Sequence, residues 1–226
     1  MKLLVLDIEG TLFRTDGRLP GTSTDSAIWR GIARALGPNA IEDEIATHVR
    51  WREGQYQGYL DWMKDTISIH QRHGLTKDIF ANLIKYAEYN PGVERTLQAV
   101  DRERFEILLI SGGFRELAAR VQADFNVRHA FAACEYIFGQ DGLLAAYNLL
   151  PCDFAGKIDF VRLMLREYGL TPQDWVFVGD GINDVPIAKA APISIAYSAC
   201  PELREVATFR TDFFPDLLDI LRENGL

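Results

Sequence analysis

Lys2-Leu3-Leu4-Val5-Leu6-Asp7-Ile8-Glu9-Gly10-Thr11, at the start of a 226-residue chain, sets an apolar run directly against an acidic cluster. Leu3–Leu6 has the unbroken apolarity of a strand buried on both faces, as in the middle of a parallel sheet. The pattern returns far along the chain, where Trp175-Val176-Phe177-Val178 runs into Gly179-Asp180-Gly181-Ile182-Asn183-Asp184. Ligands of open α/β sheets sit at the carboxyl ends of the strands, so both clusters fall where a site is expected. Carboxylates converging there repel one another unless a cation joins them. Mg²⁺, which takes hard oxygen ligands, is the natural candidate.

Two further segments extend the pattern. Ile107-Leu108-Leu109-Ile110 reads as a third buried strand and ends in Ser111-Gly112-Gly113-Phe114, with a helical stretch from Arg115. A hydroxyl and glycine amides at a strand end make a phosphate cradle. Lys157, in Ala155-Gly156-Lys157-Ile158, starts the helix before the Asp180 strand. There it can neutralise a phosphate oxygen or hold a carboxylate ionised. Plainer readings stand beside these: Ser111 and Asp184 as helix N-caps, Glu9 as a turn carboxylate, Lys157 as a solvated charge.

In this order the motifs resemble the haloacid dehalogenase superfamily of phosphatases, and within it the phosphoserine-phosphatase-like branch. The resemblance spans essentially the whole chain, with Ser-Gly-Gly-Phe and Gly-Asp-Gly-Ile-Asn-Asp its most branch-specific parts. It implies a Rossmann-like α/β core with an inserted helical cap, and hydrolysis of a small phosphorylated metabolite through an aspartyl phosphate. Asp7 would be the nucleophile and Glu9 the acid/base. Mg²⁺ would be held by Asp7, the Glu9 backbone carbonyl and Asp180, with Asp184 ligating through water or orienting Lys157. Ser111, Gly112, Lys157 and Asn183 would bind phosphate. Glu9 departs from the family, most of whose members have aspartate there. Members that cleave phosphoserine read its amine and carboxylate with an acidic residue soon after the first motif and a cap arginine. Asp16 stands for the first, and Arg50 or Arg52 for the second. Phosphoryl transfer to an alcohol acceptor, other metabolite phosphates such as sugar or keto phosphates, and a non-hydrolytic phospho-acceptor module are the alternatives.

The formal charge of −8 argues against nucleic acid and anionic membrane as partners. No apolar stretch approaches the roughly 20 residues of a spanning helix, and the amino terminus does not resemble a signal peptide. Cys134, Cys152 and Cys200 are scattered and odd in number, as reduced cytosolic thiols would be. A cytoplasmic enzyme is the expectation.

Along the chain, residues 1–18 and 88–226 read as the catalytic core and residues 19–87 as the cap. Helical segments are expected at Ser26–Leu36, Glu42–Met63 and Lys77–Tyr86, after a turn-rich Thr15–Gly21. Later come a hairpin around Gln140-Asp141-Gly142, a helix at Ile158–Tyr168, a short helix at Ile187–Ala191 and a strand at Ile193–Ala196. Trp51, Tyr56, Tyr59 and Trp62 recur at helical spacing and read as cap packing ahead of a substrate cage. The four histidines show no ligand spacing, so surface or core roles are expected for them.

Overall fold

The computed structural model describes residues 1–15 and 27–224. Strand β1 (Lys2–Leu6) lies in the middle of a seven-stranded sheet, between β2 (Phe105–Phe114) and β5 (Trp175–Gly179). Beyond β2 come β3 (His129–Phe138) and β4 (Leu144–Leu149), and beyond β5 come β6 (Ile193–Tyr197) and β7 (Phe209–Thr211). All pairings are parallel except β3 with β4, the two arms of the expected hairpin.

Successive strand residues point to opposite faces. Leu4, Leu6, Ile107, Leu109, Val176 and Val178 enter one apolar layer, and Leu3, Val5, Leu108, Ile110, Trp175 and Phe177 the other. The first layer is closed by Leu97 of α5 (Val93–Ala99) and by Leu117 and Val121 of α6 (Arg115–Phe125). The second is closed by Val161 and Leu165 of α7 (Gly156–Glu167). Burial on both sides is why these strands carry no polar alternation.

The chain leaves β1 toward the β2 side and crosses to β5 only later, so the strand order reverses between β1 and β5. A crevice opens at such a point beyond the carboxyl ends of the strands. Asp7 follows β1 there, with its N–H on the Val178 carbonyl at 3.0 Å, and Asp180 follows β5.

Among the described residues, four helices lie between β1 and α5: α1 (Ala27–Leu36), α2 (Pro38–Arg52), α3 (Tyr59–Arg72) and α4 (Lys77–Tyr86). The single helix expected over Glu42–Met63 is instead the end of α2, a turn, and the start of α3. Gly54, with φ +69°, takes a left-handed conformation that an α-helix cannot continue, and α3 restarts after Gly58. Most of the expected Thr15–Gly21 turn, Asp16 and Ser26 lie outside the described residues. No helix among the described residues is long and apolar enough to cross a membrane.

Candidate active site

Lys157, on the first turn of α7, is fully buried at 0% exposure, and three carboxylates surround its ammonium. Nζ donates to Asp7 Oδ1 at 2.7 Å and to Asp184 Oδ1 at 2.6 Å, and lies 3.8 Å from Asp153 Oδ1. Burial alone would push the ammonium toward neutrality, but the Asp184, Asp7 and Asp153 charges outweigh it and hold its pKa well above the ordinary lysine value. Asp7 shows the converse. Burial raises its carboxyl pKa well above the ordinary value; Lys157 opposes this, while Asp184 and Asp180 add to it. Asp180, crowded in the same way, is pushed up to about 8.

Asp184 Oδ2 accepts the backbone N–H groups of Asp180 at 3.0 Å and Gly181 at 3.1 Å, so this carboxylate clamps the Asp180 turn while its other oxygen holds Lys157. Asp180 Oδ1 accepts from the Thr11 hydroxyl at 2.8 Å, tying the two acidic clusters together. At Gly10, with φ +91°, any Cβ would collide with the Asp180 carboxylate. Carboxylate oxygens of Asp7, Asp180 and Asp184 lie within 4.8 Å of one another. With one ammonium among four carboxylates, the donor set fits a hard divalent cation, which would offset the burial and mutual repulsion that raise Asp7 and Asp180.

Asp7 and Asp180 floor a cavity of about 320 Å³, with Lys157 and Asp184 buried behind them. Ser111, Gly112, Gly113 and Asn183 line it as expected. The Ser111 hydroxyl accepts the Gly113 N–H at 3.0 Å, and β2 continues through Phe114 before α6 begins, so the cradle is extended backbone rather than a helix mouth. Glu9 also faces the cavity; its Oε2 accepts the Ile28 N–H of α1 at 3.2 Å. Asp153, which the motifs do not single out, lies beside the cradle and accepts from Asn183 Nδ2 at 2.8 Å. Burial raises its pKa, against the pull of Lys157 and Asn183.

The roof comes from α1–α3: Trp29, Arg30, Glu44, His48, Tyr59, Trp62, Met63 and Thr66. Arg50 and Arg52 do not line it. Arg50 is held elsewhere, with Nη2 on Asp65 Oδ2 at 2.6 Å and Nε on the Tyr56 hydroxyl at 3.0 Å, and Arg52 is exposed. Helix phase is the reason. Glu44 and His48 are four residues apart on one face of α2, and Arg50 points about 200° away from His48. That phase, read with the start of α2, is the signal that finds Glu44. Arg30 and Glu44 are 3% and 2% exposed, and Glu44 Oε2 has no hydrogen-bond partner among the described residues. The aromatics divide: Trp51 stacks on Trp62 at 4.7 Å and Tyr56 serves Arg50, while Tyr59 and Trp62 reach the cavity. The Tyr59 hydroxyl donates to the Gly112 carbonyl at 2.5 Å, joining roof to floor. His48 lines the roof; His70, His73 and His129 make polar contacts away from it.

A family model for haloacid dehalogenase-like hydrolases matches residues 1–192. The phosphoserine phosphatase SerB2 of Mycobacterium tuberculosis is 32% identical over 135 residues, 59% of this chain but only 32% of the relative's length. The phosphoserine phosphatase of Idiomarina loihiensis is 30% identical over 174 residues, 75% of this chain and 76% of the relative. A solved phosphoserine phosphatase carrying an analogue of its phospho-aspartyl intermediate superposes with a TM-score of 0.77, at 23% identity, over 98% of each chain.

Proposed function

The chain belongs to the haloacid dehalogenase-like hydrolases, and we propose that it cleaves a small, phosphoserine-like phosphomonoester through a covalent phosphate on Asp7. It is a phosphatase of the phosphoserine-phosphatase-like branch. The observation that carries the nucleophile assignment is the Lys157 bridge. One Asp7 oxygen is fixed at 2.7 Å from the ammonium, which leaves Oδ2 to attack phosphorus.

Asp7, Asp180 and the Glu9 backbone carbonyl would hold Mg²⁺, with Asp184 behind them. When bound, the ion screens the anionic nucleophile from the anionic phosphate. The remaining steps belong to the protein. The Asp7 oxygen bonds to phosphorus as the ester P–O bond breaks, and Glu9 gives its proton to the departing alkoxide. Water enters, Glu9 takes back a proton, and the hydroxide oxygen displaces Asp7 as inorganic phosphate forms. Ser111, Gly112, Asn183 and Lys157 hold the phosphoryl oxygens throughout; such chemistry needs mainly positioning and charge compensation. Helices α1–α4, within the proposed cap of residues 19–87, exclude water from the site and meet the leaving group. In place of Arg50 or Arg52, Arg30 and Glu44 give the roof one charge of each sign, which suits a leaving group bearing both carboxylate and amine. The buried free thiols fit a reducing, cytoplasmic setting.

The test is turnover of p-nitrophenyl phosphate and phosphoserine, with Mg²⁺ and with chelator, by wild type and Asp7→Asn. Wild type should require the metal and prefer phosphoserine. Asp7→Asn should lose several orders of magnitude. Retention of more than a tenth of the activity, a barrier change below about 1.4 kcal/mol, would refute the nucleophile assignment.

A further inference from the structure

Asp153 sits where a carboxylate is least expected, against a phosphate cradle. Its side chain is only 9% exposed and lines the cavity, and it packs so closely on Gly112 that a Cβ there would collide with it. The backbone beside it is strained: the next residue, Phe154, has φ +48°, a conformation that bulky side chains avoid. An anion so placed repels phosphate, so its presence calls for a compensating role.

Asn183 supplies one. An asparagine amide can present either its carbonyl or its amino group to a ligand, and the two ends are nearly equal in shape. A carboxylate only accepts hydrogen bonds. With Asp153 Oδ1 at 2.8 Å from Asn183 Nδ2, the amino end is fixed on the Asp153 side, while Oδ1 lies over Gly181, in the space a Cβ there would fill. One N–H of Nδ2 is used by Asp153 and the other is left for a phosphoryl oxygen. The same Asp153 oxygen lies 3.8 Å from Lys157 Nζ, so the phosphate-binding amide and ammonium share one anchor.

We infer that Asp153 is a positioning residue that locks the Asn183 amide with its remaining N–H toward the phosphate, so that the carbonyl never faces the anion. The inference rests on the phosphatase reading above. Its cost is Coulombic repulsion of substrate; its return is an Asn183 that does not have to be reoriented in each turnover.

A double-mutant cycle separates the two effects. The measured quantity is the inhibition constant of inorganic phosphate, with KM and kcat beside it, for the Mg²⁺-loaded full chain. Asp153→Asn is isosteric but can donate as well as accept, so it releases the lock. It also removes a negative charge, and that relief appears whether or not Asn183 is present. The expected result is that Asp153→Asn is about fivefold or more worse for phosphate affinity in the wild-type background than in Asn183→Ala. Equal ratios in the two backgrounds would overturn the positioning role and leave Asp153 acting through Lys157 or the fold. Thermal unfolding of each variant identifies a folding defect, and Asp153→Glu, which keeps an acceptor-only group, should retain part of the coupling. A wild-type protein that binds no inorganic phosphate would sink the phosphatase reading and this inference together, an outcome distinct from a cycle that shows no coupling.

Discussion

Glu9 spans from the floor of the site to its roof, with Oε2 accepting the Ile28 N–H of α1 at 3.2 Å. Its other oxygen lies over Gly113, in the space a side chain there would fill. An aspartate in this position would be one methylene shorter. The longer residue therefore joins the proposed acid/base to the first turn of α1, so the contact with the roof and the proposed proton transfer share one side chain.

Shortening and neutralising Glu9 should consequently differ. Glu9→Gln removes the proton and should slow alkyl phosphates by about 10²–10⁴-fold, with a smaller loss for nitrophenyl phosphate, whose leaving group needs no acid. Glu9→Asp keeps the proton but loses the reach. It should retain more activity than Glu9→Gln, yet raise amide hydrogen exchange at Ile28. Unchanged exchange at Ile28 would show that the contact is incidental.

The Lys157 cluster makes a prediction about stability. Lys157→Met would leave Asp7 and Asp184 facing each other without their shared cation, both buried. Removing one partner of a buried ion pair costs about 3–5 kcal/mol, chiefly because the remaining charge is stranded. Adding Asp184→Asn should return a large part of that loss, and urea unfolding of the single and double variants in chelator measures it. A double variant no more stable than Lys157→Met would mean the lysine acts through packing alone.

The parts of this fold legible in the sequence are those where one physical demand dominates. Leu3–Leu6, Ile107–Ile110 and Trp175–Val178 are buried on both sheet faces, and nothing but a central strand suits such runs. The acidic residues after them are costly unless they serve a site. The start of β3 was invisible because His129-Ala130-Phe131-Ala132-Ala133 has little strand propensity of its own and is held by pairing with β2. The break between α2 and α3 hung on the backbone of Gly54, while Gly31 continues through α1. Arg30, Glu44 and Asp153 are ordinary charges in sequence. They become parts of a site only when helix phase and the loop before α7 bring them to one cavity.

Arg30 and Glu44 should set preference and leave chemistry alone. Replacing Arg30 with Met, or Glu44 with Gln, should raise KM for phosphoserine by about tenfold, the loss of one charge-assisted hydrogen bond. Hydrolysis of p-nitrophenyl phosphate, which carries neither amine nor carboxylate, should stay within about twofold on the same scale. Comparable losses on both substrates would assign these residues to the fold or the reaction, and no loss on either would remove them from recognition.

His70 carries the last prediction, which concerns pH. The imidazole is 1% exposed in α3, with Nδ1 2.6 Å from the Tyr136 hydroxyl of β3, tying α3 to the sheet. Burial, and secondarily the charge of His73, push its pKa down from 6.5 to about 3. The folded pKa is thus depressed, and the ring is neutral in the folded state across the physiological range. Between those two values the unfolded chain binds the extra proton, so stability is full above pH 6.5 and falls as pH drops toward 3. One such group is worth about 2 kcal/mol of lost stability at pH 5. Asp7 and Asp180, whose carboxyl pKa values are raised, gain stability over the same range, so the His70 share is read as a difference. Between pH 7 and pH 5, urea unfolding should show wild type losing about 2 kcal/mol relative to His70→Gln, which keeps an acceptor for Tyr136 without the titration. The same pH dependence in wild type and His70→Gln would mean that water reaches this histidine in the folded protein, and that the ring protonates without unfolding the chain.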